Sequence, residues 1–120
     1  MKINSIPIQD DNHIKTVLAR VMAGSEEFAV LDRDERHFLQ TDGYGLEYKN
    51  PAGLYRAVQE EFSQEELEAV FLDYYHNGNE YLTQYEWQEI PGFSDWEEPE
   101  KDDRPPARTL REKIRRLFGL

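Results

Sequence analysis

Oxygen-bearing side chains crowd between residues 73 and 86, where Asp73, Asn77, Asn79, Glu80 and Glu86 follow a helical pattern. Alternating oxygen ligands closed by a bidentate glutamate are the signature of an EF-hand calcium loop. With Glu86 as the closing ligand, Leu82 falls on the apolar eighth position, and Asn77 and Asn79 on the third and fifth. The first position is then Tyr75, which supplies no carboxylate, and the sixth is Glu80, where the sharp turn needs glycine. Asp73 and Gly78 each come two residues too early. A degenerate EF-hand-like calcium module is therefore a subsidiary reading.

The other reactive residue types are scattered. His13, His37 and His76 have no second histidine at helical spacing and no paired acids beside them, so they read as isolated surface histidines rather than metal ligands. There is no Gly-x-Ser-x-Gly turn to expose a nucleophile, and Ser63 reads as a helix cap. Carboxylates are abundant, but a general acid needs an apolar pocket to raise its pKa, and no such pocket is legible. No glycine-rich phosphate loop is present. The expectation is a non-catalytic protein with no cofactor and no metal.

Charge points toward protein binding. The 120 residues carry a net charge of −11, unevenly spread: residues 1–103 hold −16, and residues 104–120 hold six basic residues against Glu112, or +5. A body this acidic repels phosphate backbones, which disfavours DNA and RNA as partners, and it attracts basic proteins. The chain has no cysteine, no apolar run near the length of a membrane span and no secretory h-region. These features predict a soluble protein of a reducing cytoplasm.

The elements that must position any site follow from periodicity. Residues 12–23 predict an amphipathic helix with Ile14, Val17, Leu18, Val21 and Met22 on one stripe, started by Asp10 or Asp11 and ended by Gly24. Strands are predicted at 28–31, 37–41, 44–48 and 54–58, joined by turns at Asp32–Arg36, Asp42-Gly43 and Asn50–Gly53. Tyr44, Leu46 and Tyr48 alternate with Gly45, Glu47 and Lys49, as in a half-buried strand. Ser63-x-x-Glu66 is a capping box, with Phe62 and Leu67 as its hydrophobic staple. Behind it Leu67, Val70, Phe71 and Tyr74 form a buried stripe. Residues 81–90 predict a last strand, with Tyr81, Thr83, Tyr85 and Trp87 on one face, or a turn into a short helix.

The fold class expected is α+β: a four- to five-stranded antiparallel meander with two helices on one face. It occupies residues 1–90. Residues 91–108 form an acidic, proline-rich linker, and residues 109–120 a basic amphipathic helix with Leu110, Ile114, Leu117 and Phe118 on one side. That helix suits anionic lipid through Leu110–Phe118, but attraction between a −16 body and a +5 tail favours docking on its own chain.

The order Glu27-Phe-Ala-Val-Leu-Asp32, His37-Phe-Leu-Gln-Thr41, Leu46-Glu-Tyr48, Leu54-Tyr-Arg-Ala57, Glu65-Glu-x-Glu-Ala-Val-Phe-Leu-Asp-Tyr74 and Tyr85-Glu-Trp87 resembles small bacterial immunity proteins of polymorphic toxin systems, over about residues 14–90. The basic tail lies outside that pattern. The resemblance implies a protein that binds one toxin domain and blocks it, with neither catalysis nor cofactor. Nuclease toxins are basic because they bind phosphates, and an acidic inhibitor is steered to that surface. The candidate partner-binding residues are Glu61, Glu65, Glu68 and Asp73 on or beside the second helix, and Asp95, Trp96, Glu97 and Glu98 in the linker. Trp87 reads more readily as core than as interface. The alternative function is a membrane- or complex-associated adaptor working through the basic helix.

Overall fold

The computed structural model describes residues 1–94. The predicted helix at 109–120 and most of the linker lie outside these residues. The described chain is α+β, as its periodicities require. It forms β1 (Lys2–Ile3), β2 (Ile6–Pro7), α1 (Asp11–Met22), β3 (Ala29–Asp32), β4 (Phe38–Thr41), β5 (Leu46–Asn50), β6 (Gly53–Ala57), α2 (Gln64–Tyr75), α3 (Glu80–Gln84) and β7 (Trp87–Ile90). All seven strands join one antiparallel sheet in the order β2-β1-β3-β4-β5-β6-β7.

The sheet is wider than the four to five strands expected. The N-terminal hairpin adds two, turning through Asn4 and Ser5, both at positive φ (49° and 71°), the pair of conformations a type I′ turn requires. Strands of two residues are too short for an alternation signal. The Asn4 side chain ties the hairpin in, accepting from Val30 N at 2.8 Å and donating to Phe28 O at 3.0 Å. Residues 81–90 split into α3 and then β7, so Tyr81, Thr83, Tyr85 and Trp87 do not share a strand face.

Each hairpin of the meander is closed by an acid or amide side chain. Asp34 Oδ1 accepts from Arg36 N, Asp42 Oδ1 from Tyr44 N and Gly45 N, and Asn50 Oδ1 from Ala52 N and Gly53 N. Such side chains mimic the backbone in a turn. Both long helices end alike, with a left-handed residue after the cap: Gly24 (φ 82°) after α1 and Asn77 (φ 62°) after α2. Paired bonds follow in each case, Ser25 N to Arg20 O with Gly24 N to Val21 O, and Gly78 N to Asp73 O with Asn77 N to Tyr74 O. These are Schellman closures.

Register sorts the side chains between two faces. One face runs Ile3, Leu31, Leu39, Tyr48, Tyr55 in one row and Ala29, Thr41, Leu46, Ala57, Trp87 in the next. Helices α1 and α2 pack on it through Ile14, Val17, Leu18, Val21, Leu67, Val70, Phe71 and Tyr74, forming the main core. Met22, expected in the α1 stripe, sits at the helix end and is 38% exposed. No helix of the described residues is long and apolar enough to cross a membrane.

The far face of the sheet differs from the expected polar, solvated side. It holds the rows Asp32, Phe38, Lys49, Leu54, Ile90 and Val30, Gln40, Glu47, Arg56, Gln88. Val30, Phe38 and Leu54 form a second apolar cluster, with Phe28, Ile90 and Phe93 against it. Glu47 and Lys49, expected to face water, are 0% and 2% exposed. Glu47 Oε1 accepts from Gln40 Nε2 at 3.2 Å, while Oε2 is buried and accepts no hydrogen bond. Loss of solvent pushes the Glu47 carboxyl up to about 7, against the opposing pull of the Arg56 charge across the strand pair.

Two predictions follow from these contacts. Ser63 Oγ accepts from Glu66 N, and the Glu66 carboxylate accepts from Ser63 N. Replacing Ser63 by Ala should therefore cost about 1 kcal/mol, lowering the melting temperature by roughly 4–8 °C, as read by circular dichroism. Glu47 holds its proton more tightly folded (about 7) than unfolded (4.5). Its stabilising contribution is complete below pH 4.5 and is lost as pH rises to about 7, on the order of a few kcal/mol. Glu47→Gln should flatten the melting temperature between pH 4.5 and 7.5 and raise it at pH 8; parallel curves for parent and variant would disprove this.

Candidate protein-binding surface

One end of the sheet gathers exposed apolar groups among carboxylates. The β4–β5 turn, the end of β6 and the start of β7 lie at this end, because Thr41 pairs with Leu46 and Ala57 with Trp87. The segment after β6 crosses it to reach α2. Phe62 N donates to Tyr44 O at 3.0 Å, and Val58 N to Glu86 O at 2.9 Å. Helix α1 ends against the same turn: a Cβ on Gly43 (φ 94°) would lie 3.2 Å from Val21 Cγ1 and 3.8 Å from Met22 Sδ. Glycine is thus required there for both its backbone angle and the close approach of the helix.

Three of the five large exposed hydrophobic residues among those described lie at this end: Met22, Tyr44 at 67% exposed and Val58 at 49%. Glu60 and Glu61 in the segment before α2, Glu65 in the first turn of α2 and Glu86 just before β7 are exposed at the same end. Gln59 Nε2 donates to Glu61 O at 2.9 Å and to Glu66 Oε2 at 3.1 Å, holding the approach to α2 in place. An apolar strip in an acidic rim suits a basic partner: the charges steer the encounter, and the desolvated aromatic supplies binding energy.

The predicted partner-binding residues divide. Glu61 and Glu65 are exposed beside the strip, and Glu68 is half-buried one turn along α2, with Gln64 Nε2 at 3.5 Å. Asp73 is at the other end of the helix, where its carboxylate closes the α2–α3 turn. Oδ2 accepts from Tyr81 N at 3.2 Å, and Oδ1 lies so close to Gly78 that a Cβ there would overlap it. Asp95, Trp96, Glu97 and Glu98 lie outside the described residues. Sequence reasoning missed Tyr44, which it set inside a strand; its place directly after Asp42-Gly43 puts it in the turn instead. Trp87 is half-buried, edge-on to Tyr48 at 4.7 Å between ring centroids, with Nε1 donating to Tyr81 O at 3.0 Å.

The residues considered for chemistry do not converge. The segment aligned with a calcium loop is divided between the end of α2, a tight turn and α3, and its Asp73 carboxylate accepts from Tyr81 N within that turn. His37 Nδ1 lies 2.9 Å from Asp34 Oδ1, and His76 Nε2 lies 2.9 Å from Asp11 Oδ1, each an exposed pair. Among the described residues no three His, Asp or Glu side chains gather to hold a metal ion. Compared with known proteins, the chain matches no family model, no curated sequence and no solved structure.

Proposed function

We propose that this chain is a non-catalytic, protein-binding inhibitor of the immunity or antitoxin type, which occludes a basic toxin domain with the acidic end of its sheet. The observation that carries the reading is Tyr44: a phenol ring 67% exposed, at the same end of the sheet as the exposed Met22, Val58, Glu60, Glu61, Glu65 and Glu86. A large aromatic is costly to leave in water, and a rigid ring at the centre of a charged rim has the anatomy of an interface anchor. The rim raises the association rate with a basic partner and sets its salt dependence. The net −16 of residues 1–103 favours a protein over a nucleic acid as that partner.

The test is calorimetric titration, with association and dissociation rates read by surface plasmon resonance, against the toxin-like domain encoded beside this chain's gene. Tyr44→Ala should weaken binding about 30-fold or more, as loss of a central anchor does. The pair Glu61→Gln and Glu65→Gln should slow association and reduce its salt dependence, leaving dissociation nearly unchanged. Lys15→Ala, on the exposed side of α1, should bind as the parent does. The reading fails if no such gene is adjacent, or if the Tyr44 and glutamate variants bind like the parent.

A further inference from the structure

We propose that the open edge of β7 takes an extended basic segment of a partner protein as an added antiparallel strand. This is a second contact beyond the Tyr44 surface, and it rests on the preceding reading only for the partner's being a basic protein. Among the described residues β7 pairs with β6 alone and ends the strand order of the sheet. Val58 N donates to Glu86 O, which sets the phase of the ladder. Gln88 and Ile90, in the same phase as Glu86, turn their backbone groups toward Arg56 and Leu54. The N–H and C=O groups of Trp87 and Glu89 therefore point away from β6. Gln88 and Glu89 are exposed. After Ile90 the chain turns through Pro91 and Gly92 (φ 92°) and brings Phe93 to the Val30, Phe38 and Leu54 cluster, not along this edge.

The two edges of the sheet are not alike. At the other end β2 is two residues long and includes Pro7, which has no N–H to offer. β7 has four residues and no proline. A row of unpaired backbone groups templates the addition of a strand, so β7 is the edge suited to it.

The side chains select the occupant. Glu86 and Glu89 are exposed along this edge, on a body in which residues 1–103 hold −16. A second copy pairing here would bring the Glu86 and Glu89 of both chains to one edge, where like charges repel. A basic strand reverses the sign of that interaction. On an added strand, the residue opposite Glu89 stands about 5 Å from it between Cβ atoms. The Glu89 carboxylate rests over Gly53, where a Cβ would lie 2.9 Å from Oε2, and a lysine or arginine is long enough to reach it. The residue opposite Trp87 meets a half-buried indole on the same face of the sheet. An antiparallel segment thus needs a lysine or arginine two positions before an apolar or β-branched residue. Backbone hydrogen bonds supply the affinity, and these two positions the selectivity.

The probe is the peptide acetyl-Thr-Lys-Thr-Val-Lys-Thr-amide, titrated into the full-length chain and followed by amide NMR. The Trp87 and Glu89 amide signals should shift and their hydrogen exchange should slow, while Gln88 and Ile90, already bonded to β6, change little. Methylating the valine nitrogen keeps the charge but removes the bond to Trp87 O, and should abolish the slowing. Glu89→Lys should weaken binding about fivefold or more. Tyr44→Ala should leave peptide binding unchanged, so each surface can fail without the other. The proposal is overturned if the Trp87 and Glu89 amides do not respond, or if the methylated peptide acts like its parent. It is overturned too if both amides already exchange slowly in the free, dilute chain, because the edge is then occupied. Slowing caused by raising the concentration of the chain alone would also overturn it, assigning the edge to a second copy.

Discussion

Register in this sheet is set at its turns, and almost everything else depends on it. Asp34, Asp42 and Asn50 recur every eight residues, and each closes a hairpin by accepting backbone N–H groups. Side chains alternate between faces with a period of two, so a slip of one residue would move Leu31, Leu39 and Leu46 off the helix-bearing face. It would place Asp32, Gln40 and Glu47 beneath α1 and α2 instead. The turns thus decide which residues the helices find when they pack.

The far face shows what that alternation costs when both sides are buried. A strand with one wet face tolerates a polar residue at every second position. Here the polar row is itself buried, and Glu47 meets its loss of water with one hydrogen bond from Gln40 and the charge of Arg56. Removing one member of such a network leaves its partners buried and unsatisfied, which is why it constrains the fold more strongly than its small net energy suggests.

The acidic end owes its composition to the same topology. Strand ends and helix ends collect there because α1 finishes, α2 begins and β7 begins on that side. Acids favour a helix N-terminus, where they complement the dipole, so Glu65 and Glu66 serve α2 as well as the surface. Tyr44 and Val58 serve the fold through backbone hydrogen bonds while their side chains are exposed, which makes those side chains the more informative for function.

Local signals in the sequence determined the helices, their caps and the meander of β3 to β6, because a capping box, an Asp-Gly turn and a 3.6-residue stripe act within a few residues of one another. They also determined that Leu67, Val70, Phe71 and Tyr74 face inward. The tertiary structure alone decided the two outer pairings. A hairpin of two-residue strands joins the sheet only by pairing with β3, and β7 only by pairing with β6 across α2 and α3, so both are fixed by distant partners. It alone decided that Glu47 and Lys49 are buried, since alternation assigns a residue to a face without saying what covers that face. It moved Asp73 from surface acid to turn closure and placed Met22, Tyr44 and Val58 at one end of the sheet. Such a grouping joins residues far apart along the chain and leaves no spacing to be read.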